Sequence, residues 1–304
     1  MTPDRGENGH VGRSVLRIDG AGKTTGETRF FSDLYPEDVL WVQTKRSEPG
    51  PSSAVHARIR SIDTTRAERA PGVVRVITAK DIPGENRFGV FVSDQPVLCD
   101  EKVRFHGDAI ALVVAETKAA AAAALDLIGV AYDPLPAVTD PDQAMEDGAV
   151  PIADEGNIFK EFHLGHGDVE GGFADADVVI ENTFDTPRQS AAFIEPESGV
   201  ARMDGDVLVI QAGAQNPFRD RRDLARSLDL PLERIRIQAS PLGGGFGAKD
   251  GITVQIHLGL AAMLTGRPVR LFWEREESNL AGWKRHPFRI SLKTGVKRDG
   301  TLTA

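Results

Sequence analysis

Residues Pro241-Leu242-Gly243-Gly244-Gly245-Phe246-Gly247-Ala248-Lys249-Asp250-Gly251 form the densest glycine cluster of the chain. Side chains this small let backbone N–H groups come close to an anionic or oxo-bearing cofactor. Gly244, Gly245, Phe246 and Gly247 are therefore the candidate cofactor lining, with the Phe246 ring placed to cover one face and exclude water. Gln215 lies in Gln211-Ala212-Gly213-Ala214-Gln215-Asn216-Pro217, after an expected strand and before an expected helix. A side-chain amide there is placed to donate to a metal oxo group. Asp250 follows the glycines and is placed to orient a polar substrate.

The same cluster supports a second chemistry. As Gly243-x-Gly245-x-x-Ala248 it fits a relaxed dinucleotide fingerprint, with Glu274 after the next strand as the acid for a ribose. That is the pattern of an NAD-dependent dehydrogenase. Against it, Lys249-Asp250-Gly251 separates the glycines from the helix, and Glu274 lies far from the last glycine. A glycine-rich turn without a ligand is the plain alternative.

Two other motifs carry less. Asp19-Gly20-Ala21-Gly22-Lys23-Thr24-Thr25 looks like a phosphate loop, but Arg17 stands where the first glycine of that loop is needed. It reads as a lysine-bearing loop. His163 and His166 have metal-ligand types, but no cysteine lies nearby and no helix aligns them. They read as solvent-exposed loop histidines.

The elements that must position these residues alternate between strand and helix patterns. In the first half, strands are expected at 39–42, 57–62, 73–77, 102–105 and 109–114, then up to Tyr132. His106-Gly107-Asp108 reads as a hairpin connection. Helices are expected at 65–69 and, through the alanine run Ala119–Ala124, at 117–128. Asp140–Asn157, rich in Pro, Gly and acids, reads as a linker. In the second half, Asp168 is a candidate N-cap, and strands are expected at 177–184, 199–203, 207–211, 234–239 and 269–273. Asp204-Gly205 is expected to form a type I′ hairpin turn. Asn216-Pro217 starts a helix to Leu228, and Ile252–Leu264 reads as an apolar helix. Arg298-Asp299-Gly300 reads as a hairpin turn whose second arm stops after four residues, as if the chain were cut inside a domain. The expected fold class is α+β. The expected division is a disordered tail (1–12), a first domain (13–138), a linker (139–158) and a second domain (159–304).

Composition narrows the function classes. The formal net charge of -9 argues against a nucleic-acid sleeve or a membrane-surface binder, which need a basic face. The single Cys99 excludes an intrachain disulfide framework and an iron–sulfur site built from this chain alone, since such clusters take about four thiolates. Met1–Gly12 has no apolar signal-peptide core, and no run reaches the ~20 apolar residues of a membrane span. The expected compartment is the cytoplasm.

Taken together, these motifs resemble the molybdenum-cofactor subunit of the xanthine dehydrogenase / aldehyde oxidase family of molybdenum hydroxylases. Pro241–Lys249 is similar to the family's GGGFG(G)K loop beside the molybdopterin. Ala214-Gln215-Asn216-Pro217 resembles its TQNP segment, whose glutamine bonds an oxo ligand of molybdenum, which implies that role for Gln215 in the metal's second shell. Ile194-Glu195-Pro196-Glu197 resembles an EP(E/H) segment, to which no role is assigned. Thr265-Gly266-Arg267-Pro268-Val269 and Arg275-Glu276-Glu277-Ser278 resemble its TGRPV…REES stretch. Gly20–Asp33, His56-Ala57-Arg58-Ile59, Pro71-Gly72-Val73-Val74, Asp100-Glu101-Lys102-Val103 and Gly107–Ala111 are similar to its α/β-hammerhead domain. The resemblance runs from about Gly12 to Ala304. Departures are the Arg46-Ser47-Glu48-Pro49-Gly50-Pro51 loop and Ala248 in place of a glycine.

The resemblance implies a hammerhead domain followed by the first part of a molybdopterin-binding domain. It implies oxidative hydroxylation of an N-heterocycle or aldehyde, with water as the oxygen source. It implies molybdenum–molybdopterin, either simple or as the cytosine dinucleotide, with FeS clusters and FAD on partner chains. Asp250 aligns with the acid that orients purines in xanthine-oxidising members. No catalytic residue is expected in this chain, because the family's catalytic glutamate lies in a later domain. Alone, the chain is expected to be inactive. The rivals are the NAD-dependent dehydrogenase and a non-catalytic truncated remnant.

Overall fold

A computed structural model describes residues 12, 14–47, 55–239 and 241–304. The tail expected at 1–12 and the atypical loop at 46–51 fall largely outside the described residues.

The first half holds α1 (Gly20–Thr25), β1 (Leu40–Arg46), β2 (Ala57–Asp63), α2 (Thr65–Glu68), β3 (Val73–Thr78), β4 (Lys102–Val103), β5 (Ala109–Ala115), α3 (Lys118–Leu125), β6 (Gly129–Pro134) and α4 (Pro141–Ala144). The second half holds α5 (Val169–Ala174), β7 (Val178–Thr186), β8 (Gln189–Ser190), β9 (Ser198–Asp204), β10 (Val207–Ala212) and α6 (Pro217–Leu228). It continues through β11 (Ile235–Gln238), α7 (Gln255–Thr265), β12 (Val269–Phe272), α8 (Arg275–Ala281), β13 (Lys284–Arg285) and β14 (Phe288–Val296). The architecture is α+β, as expected.

One seven-stranded mixed sheet, in the order β11-β10-β9-β12-β1-β5-β3, joins the two halves. The join is parallel, with Leu40 opposite Val269 and Val42 opposite Leu271. A separate three-stranded sheet has the order β4-β2-β6. β5 reads AIALVVA and is buried on both faces, as a strand covered from both sides must be. The alanine helix α3 covers one side with Ala121 and Ala124, and Thr117 caps it by accepting from Ala120 N. On the opposite side the core gathers Leu40, Val42, Leu112, Leu208, Leu224 and the α7 leucines. α7 is buried from Gln255 through Ala262, which fits a helix apolar nearly all round. Gly259 makes this possible, since a Cβ there would stand 2.8 Å from Leu228 Cδ1.

Several local expectations are corrected. The 106–108 connection is not a hairpin, because β4 pairs with β2 while β5 pairs with β1 and β3. The buried Asp108 carboxylate accepts instead from Arg104 N (2.6 Å), turning the chain from one sheet to the other. The β9–β10 hairpin closes at Asp204–Val207, so Gly205 and Asp206 are its central residues. Only Gly205 has positive φ (61°), which is the type II′ pattern rather than type I′. β1 runs on to Arg46 because the alternation of buried and partly exposed positions continues through its polar half, where Thr44 and Arg46 are themselves buried. α7 starts at Gln255, three residues later than expected, because the Gln255 side chain folds back to accept from Thr253 N (2.7 Å).

The 139–158 stretch is folded against the first half. Asn157 Nδ2 donates to Ala144 O and Val150 O (both 3.0 Å), and Asp154 pairs with Arg87 and Arg104.

Candidate functional site

Two chain crossings meet at the edge of the large sheet. β10 ends at Ala212, and three residues later Gln215 stands immediately before the Asn216 cap of α6. Asn216 Oδ1 accepts from Arg219 N and Pro217 takes the first helical position, so the sequence fixes where the strand exit stops. The glycine loop lies between β11 and α7 and folds back onto this exit.

Gln215 clasps the loop. Its backbone N–H donates to Lys249 O (2.8 Å). Its Oε1 accepts from Gly247 N (3.0 Å) and Lys249 N (3.2 Å). Two backbone donors on one side-chain atom identify that atom as the oxygen. The amide NH2 therefore faces the other way, and no partner among the described residues takes it. The residue itself is exposed.

The loop needs its glycines for contact as well as for conformation. A Cβ on Gly245 would stand 2.5 Å from Gln215 Oε1, and one on Gly243 would stand 2.4 Å from Glu195 Cβ. Phe246 has φ 50° and is 79% exposed, so its ring is presented outward at the loop's crest. The N–H groups of Gly244, Gly245 and Phe246 are taken by no described residue, whereas Gly243, Gly247, Ala248 and Lys249 all donate within the protein. Successive unclaimed N–H groups beside an amide NH2 form a cradle suited to oxo and other anionic oxygens. The residues present thus fit a cofactor bearing such oxygens.

Beneath the cradle lies a buried charged support that sequence reasoning left without a role. Glu195 Oε2 accepts from Gly243 N (2.7 Å), and Oε1 accepts from Ser32 N (3.3 Å). Lys249 is 1% exposed, and its Nζ donates to Glu195 O (2.7 Å) while lying 4.3 Å from the Phe193 ring centroid. Burial pulls the Lys249 pKa down, opposed by the Glu195 and Glu197 carboxylates. Arg275 donates to Phe193 O (2.6 Å), tying the same segment from α8. The available signals were Glu195 in the Ile194–Glu197 segment and a lysine directly after the glycines.

A second support lies behind Gln215. Gln255 Nε2 donates to Asp220 Oδ2 (3.0 Å) and Gly213 O (3.3 Å), linking α7, α6 and the strand exit. Burial, then the neighbouring Asp223, raise the Asp220 pKa to about 7.

Asp250 sits at the end of the loop, but its carboxylate is engaged. Oδ2 lies 2.6 Å from Arg219 NH2, and the same guanidinium donates to Asp250 O (3.0 Å). The side chain stays half exposed, with Oδ1 taken by no described residue. Gln215, Gly244, Gly245, Phe246 and Gly247 are thus brought together, with Asp250 beside them on a tether.

The other motifs lie apart. Glu274 pairs with Lys118 at the surface, and α7 starts well beyond the last glycine, so no helix N-terminus meets the glycine loop as a dinucleotide fold requires. Asp19-Gly20-Ala21-Gly22 opens the short helix α1, with Lys23 paired to Asp19. His163 is exposed beside Glu161, and the described residues hold no group of three metal-ligand side chains.

With this geometry in place, similarity to known proteins is informative. A family profile described as "Molybdopterin cofactor-binding domain" matches residues 152–304. A second, "Aldehyde oxidase and xanthine dehydrogenase, a/b hammerhead domain", matches 25–136. The chain is 44% identical over 292 residues to a probable xanthine dehydrogenase component of Bacillus subtilis, covering 96% of this chain and 38% of that one. It is 38% identical to the nicotinate dehydrogenase large molybdopterin subunit of Eubacterium barkeri, covering 97% of this chain and 68% of the relative. The solved aldehyde oxidoreductase from Desulfovibrio gigas superposes with a TM-score of 0.88 at 33% identity, over 94% of this chain and 33% of its own.

Proposed function

The chain belongs to the aldehyde oxidase and xanthine dehydrogenase family of molybdenum hydroxylases, and from that premise we propose that it forms part of the cofactor cradle of such an enzyme. The reaction class is oxidative hydroxylation of an N-heterocycle or aldehyde, with water as the oxygen source. When bound, molybdenum–molybdopterin, either simple or as the cytosine dinucleotide, supplies the redox chemistry. The chain's own residues hold and orient. The Gln215 amide NH2 would donate to an oxygen of the bound molybdenum cofactor, and the N–H groups of Gly244, Gly245 and Phe246 would line it together with Gly247. The outward Phe246 ring is placed to exclude water from one face.

Asp250 is assigned to substrate orientation. Arg219 fixes one of its oxygens and leaves Oδ1 to accept an N–H from a polar heterocycle. FeS clusters and FAD are assigned to partner chains, a reading supported by the single cysteine of this one. The catalytic base is assigned to polypeptide outside these residues, so the chain alone is proposed to be inactive. No helix among the described residues is long and apolar enough to cross a membrane, and the proposed compartment is the cytoplasm. The proposed domain division places 139–158 between the two units. It is supported by one profile match ending at 136 and a second beginning at 152, inside that stretch, while β1 and β12 share a sheet.

The observation that carries the reading is the clasp in which Gln215 gives its carbonyl to the loop and keeps its NH2 outward. The test is molybdenum and pterin content of the chain co-expressed with the polypeptide that completes the cradle and with iron–sulfur and flavin subunits. Stoichiometric cofactor that falls sharply in Gln215→Ala supports it. Cofactor content unchanged by that substitution, or saturable NAD binding instead, refutes it.

A further inference from the structure

α6 carries Arg219, Arg222 and Arg226 along one flank, and the loop Gly89–Ser93 from the first half of the chain lies beside it. Between them is a cavity of about 470 Å³, lined by these arginines and by Val90, Phe91 and Leu232. Positions i, i+3 and i+7 share one helix face, so a single cavity meets all three arginines. The loop segment is tied to α6. Gly84 N donates to Ser227 O (3.1 Å) and Glu85 N to Arg226 O (3.0 Å), taking last-turn carbonyls that have no helical partner. Ser93 Oγ accepts from Arg226 NH2 (3.0 Å). Val90 packs on Gly251 at the end of the glycine loop, where a Cβ would stand 3.2 Å from Val90 Cγ2. Arg219, which lines the cavity, is also the residue that tethers Asp250, so the cavity adjoins the candidate site.

The three guanidinium groups are not equivalent. Arg219 NH2 lies 2.6 Å from Asp250 Oδ2, and Arg226 NH2 lies 2.6 Å from Asp223 Oδ1, so both of those charges are met. Arg222 is exposed and has no hydrogen bond or ion pair among the described residues. The cavity therefore carries one surplus positive charge, which suits a monoanion. A guanidinium is a planar fork that matches a carboxylate with two parallel hydrogen bonds. The rest of the wall is apolar. Phe91 is 89% exposed, and Val90, Ala225 and Leu232 complete this side of the lining. A bare phenyl ring beside an unpaired guanidinium suits a flat aromatic ligand with an anionic end.

We propose that this cavity is an anion subsite for the substrate, and that the substrate class is a heteroaromatic ring bearing one carboxylate. Arg222 takes the carboxylate, Phe91 covers the ring, and an N–H of the ring turns to Asp250 Oδ1. Residues three apart on a helix have Cβ atoms about 5–6 Å from each other, so Arg219 with its tethered Asp250 and Arg222 are spanned by a compact ring system rather than a long chain. The inference deepens the proposed function and rests on it for one point, that substrate reaches the cofactor past Asp250. Its test needs neither molybdenum nor turnover. Failure here leaves the cofactor reading standing, and failure of that reading shows in cofactor content instead.

The experiment titrates the 304-residue chain, by isothermal calorimetry, with indole-3-carboxylate, its neutral analogue indole-3-carboxamide, and acetate. The expected result is saturable one-to-one binding of indole-3-carboxylate, at least ~10-fold tighter than that of the amide or of acetate. Arg222→Gln, an exposed change, is expected to weaken the carboxylate by roughly 10-fold or more and to leave the amide unchanged, a split that a folding defect would not produce. Phe91→Ala is expected to weaken both indoles alike. Arg202→Gln on β9 makes the same change in net charge outside the cavity lining and is expected to leave every affinity as in the parent. Carboxylate and amide bound equally well would overturn the proposal. Acetate bound as tightly as the aromatic acid would overturn it as well, by making this a site for any small anion. Equal losses in Arg222→Gln and Arg202→Gln, or no saturable binding of indole-3-carboxylate, would do the same.

Discussion

Gln215 Oε1 accepts from Gly247 N at 3.0 Å, so the carbonyl end of this side chain is part of the loop's scaffold and only the NH2 end faces out. One residue therefore has two separable duties. In Gln215→Glu the acceptor remains and the outward donor is lost. The folded chain should keep its stability within ~0.5 kcal/mol of the parent at pH 7, as for a surface change. Turnover of the assembled enzyme should fall roughly 10²–10³-fold, the usual cost of a lost oxyanion-type donor. Steady-state kinetics with equilibrium urea unfolding on the same preparation checks both halves.

Gly245→Ala probes the clasp from the loop side. Its Cβ would stand 2.5 Å from Gln215 Oε1, so the amide or the loop must move. Overpacking of this kind costs ~1–3 kcal/mol, read as a lower denaturation midpoint, and cofactor retention should fall with it.

Lys249→Met removes the buried ammonium under the loop while keeping much of its apolar bulk. Glu195 then keeps a buried charge with its cation gone, a change expected to destabilise the fold by ~3–5 kcal/mol. The companion variant Glu195→Gln with Lys249→Met should recover part of that loss, measured as a double-mutant cycle by urea unfolding.

The pH dependence of stability has two opposed contributions. Asp220 has a folded pKa of about 7 against an ordinary value of 3.8, so the folded state holds the proton longer. Its contribution to stability is present at low pH and is lost as pH rises through that window, by up to ~4 kcal/mol. His257 is buried against Val97 O, and burial lowers its pKa to about 4. The unfolded state therefore takes up that proton first, and stability is lost as pH falls from about 6.5 towards 4. The two slopes oppose each other below about pH 6.5. Asp220→Asn should unmask the histidine's slope there and flatten the decline between about pH 6.5 and 7.5. Urea midpoints at about pH 4.5, 6.5 and 8 for parent and variant give the comparison.

Much of this was legible in the sequence because the signals were local. Asn216-Pro217 marked the start of α6, and the alanine run marked α3. The glycine cluster and Gln215 stood out by residue type, and the fold brings them together. What was not legible depended on distant partners. Nothing near Phe105 shows that β4 and β5 enter different sheets, because β1 and β2 decide it. The Lys249–Glu195 support joins residues far apart in sequence, and a lysine after glycines looks solvent-bound until its burial is seen. Arg219 lies on another element from Asp250, so the tether that occupies one carboxylate oxygen was hidden.

In the proposed function, the N–H groups of Gly244, Gly245 and Phe246 and the NH2 of Gln215 receive the cofactor. Hydrogen–deuterium exchange on the assembled complex, with and without molybdenum cofactor, reads this at the loop itself. These three amides should slow markedly on loading while the β5 amides, already buried, do not change. Equal exchange at Gly244–Phe246 in loaded and cofactor-free complexes would contradict it.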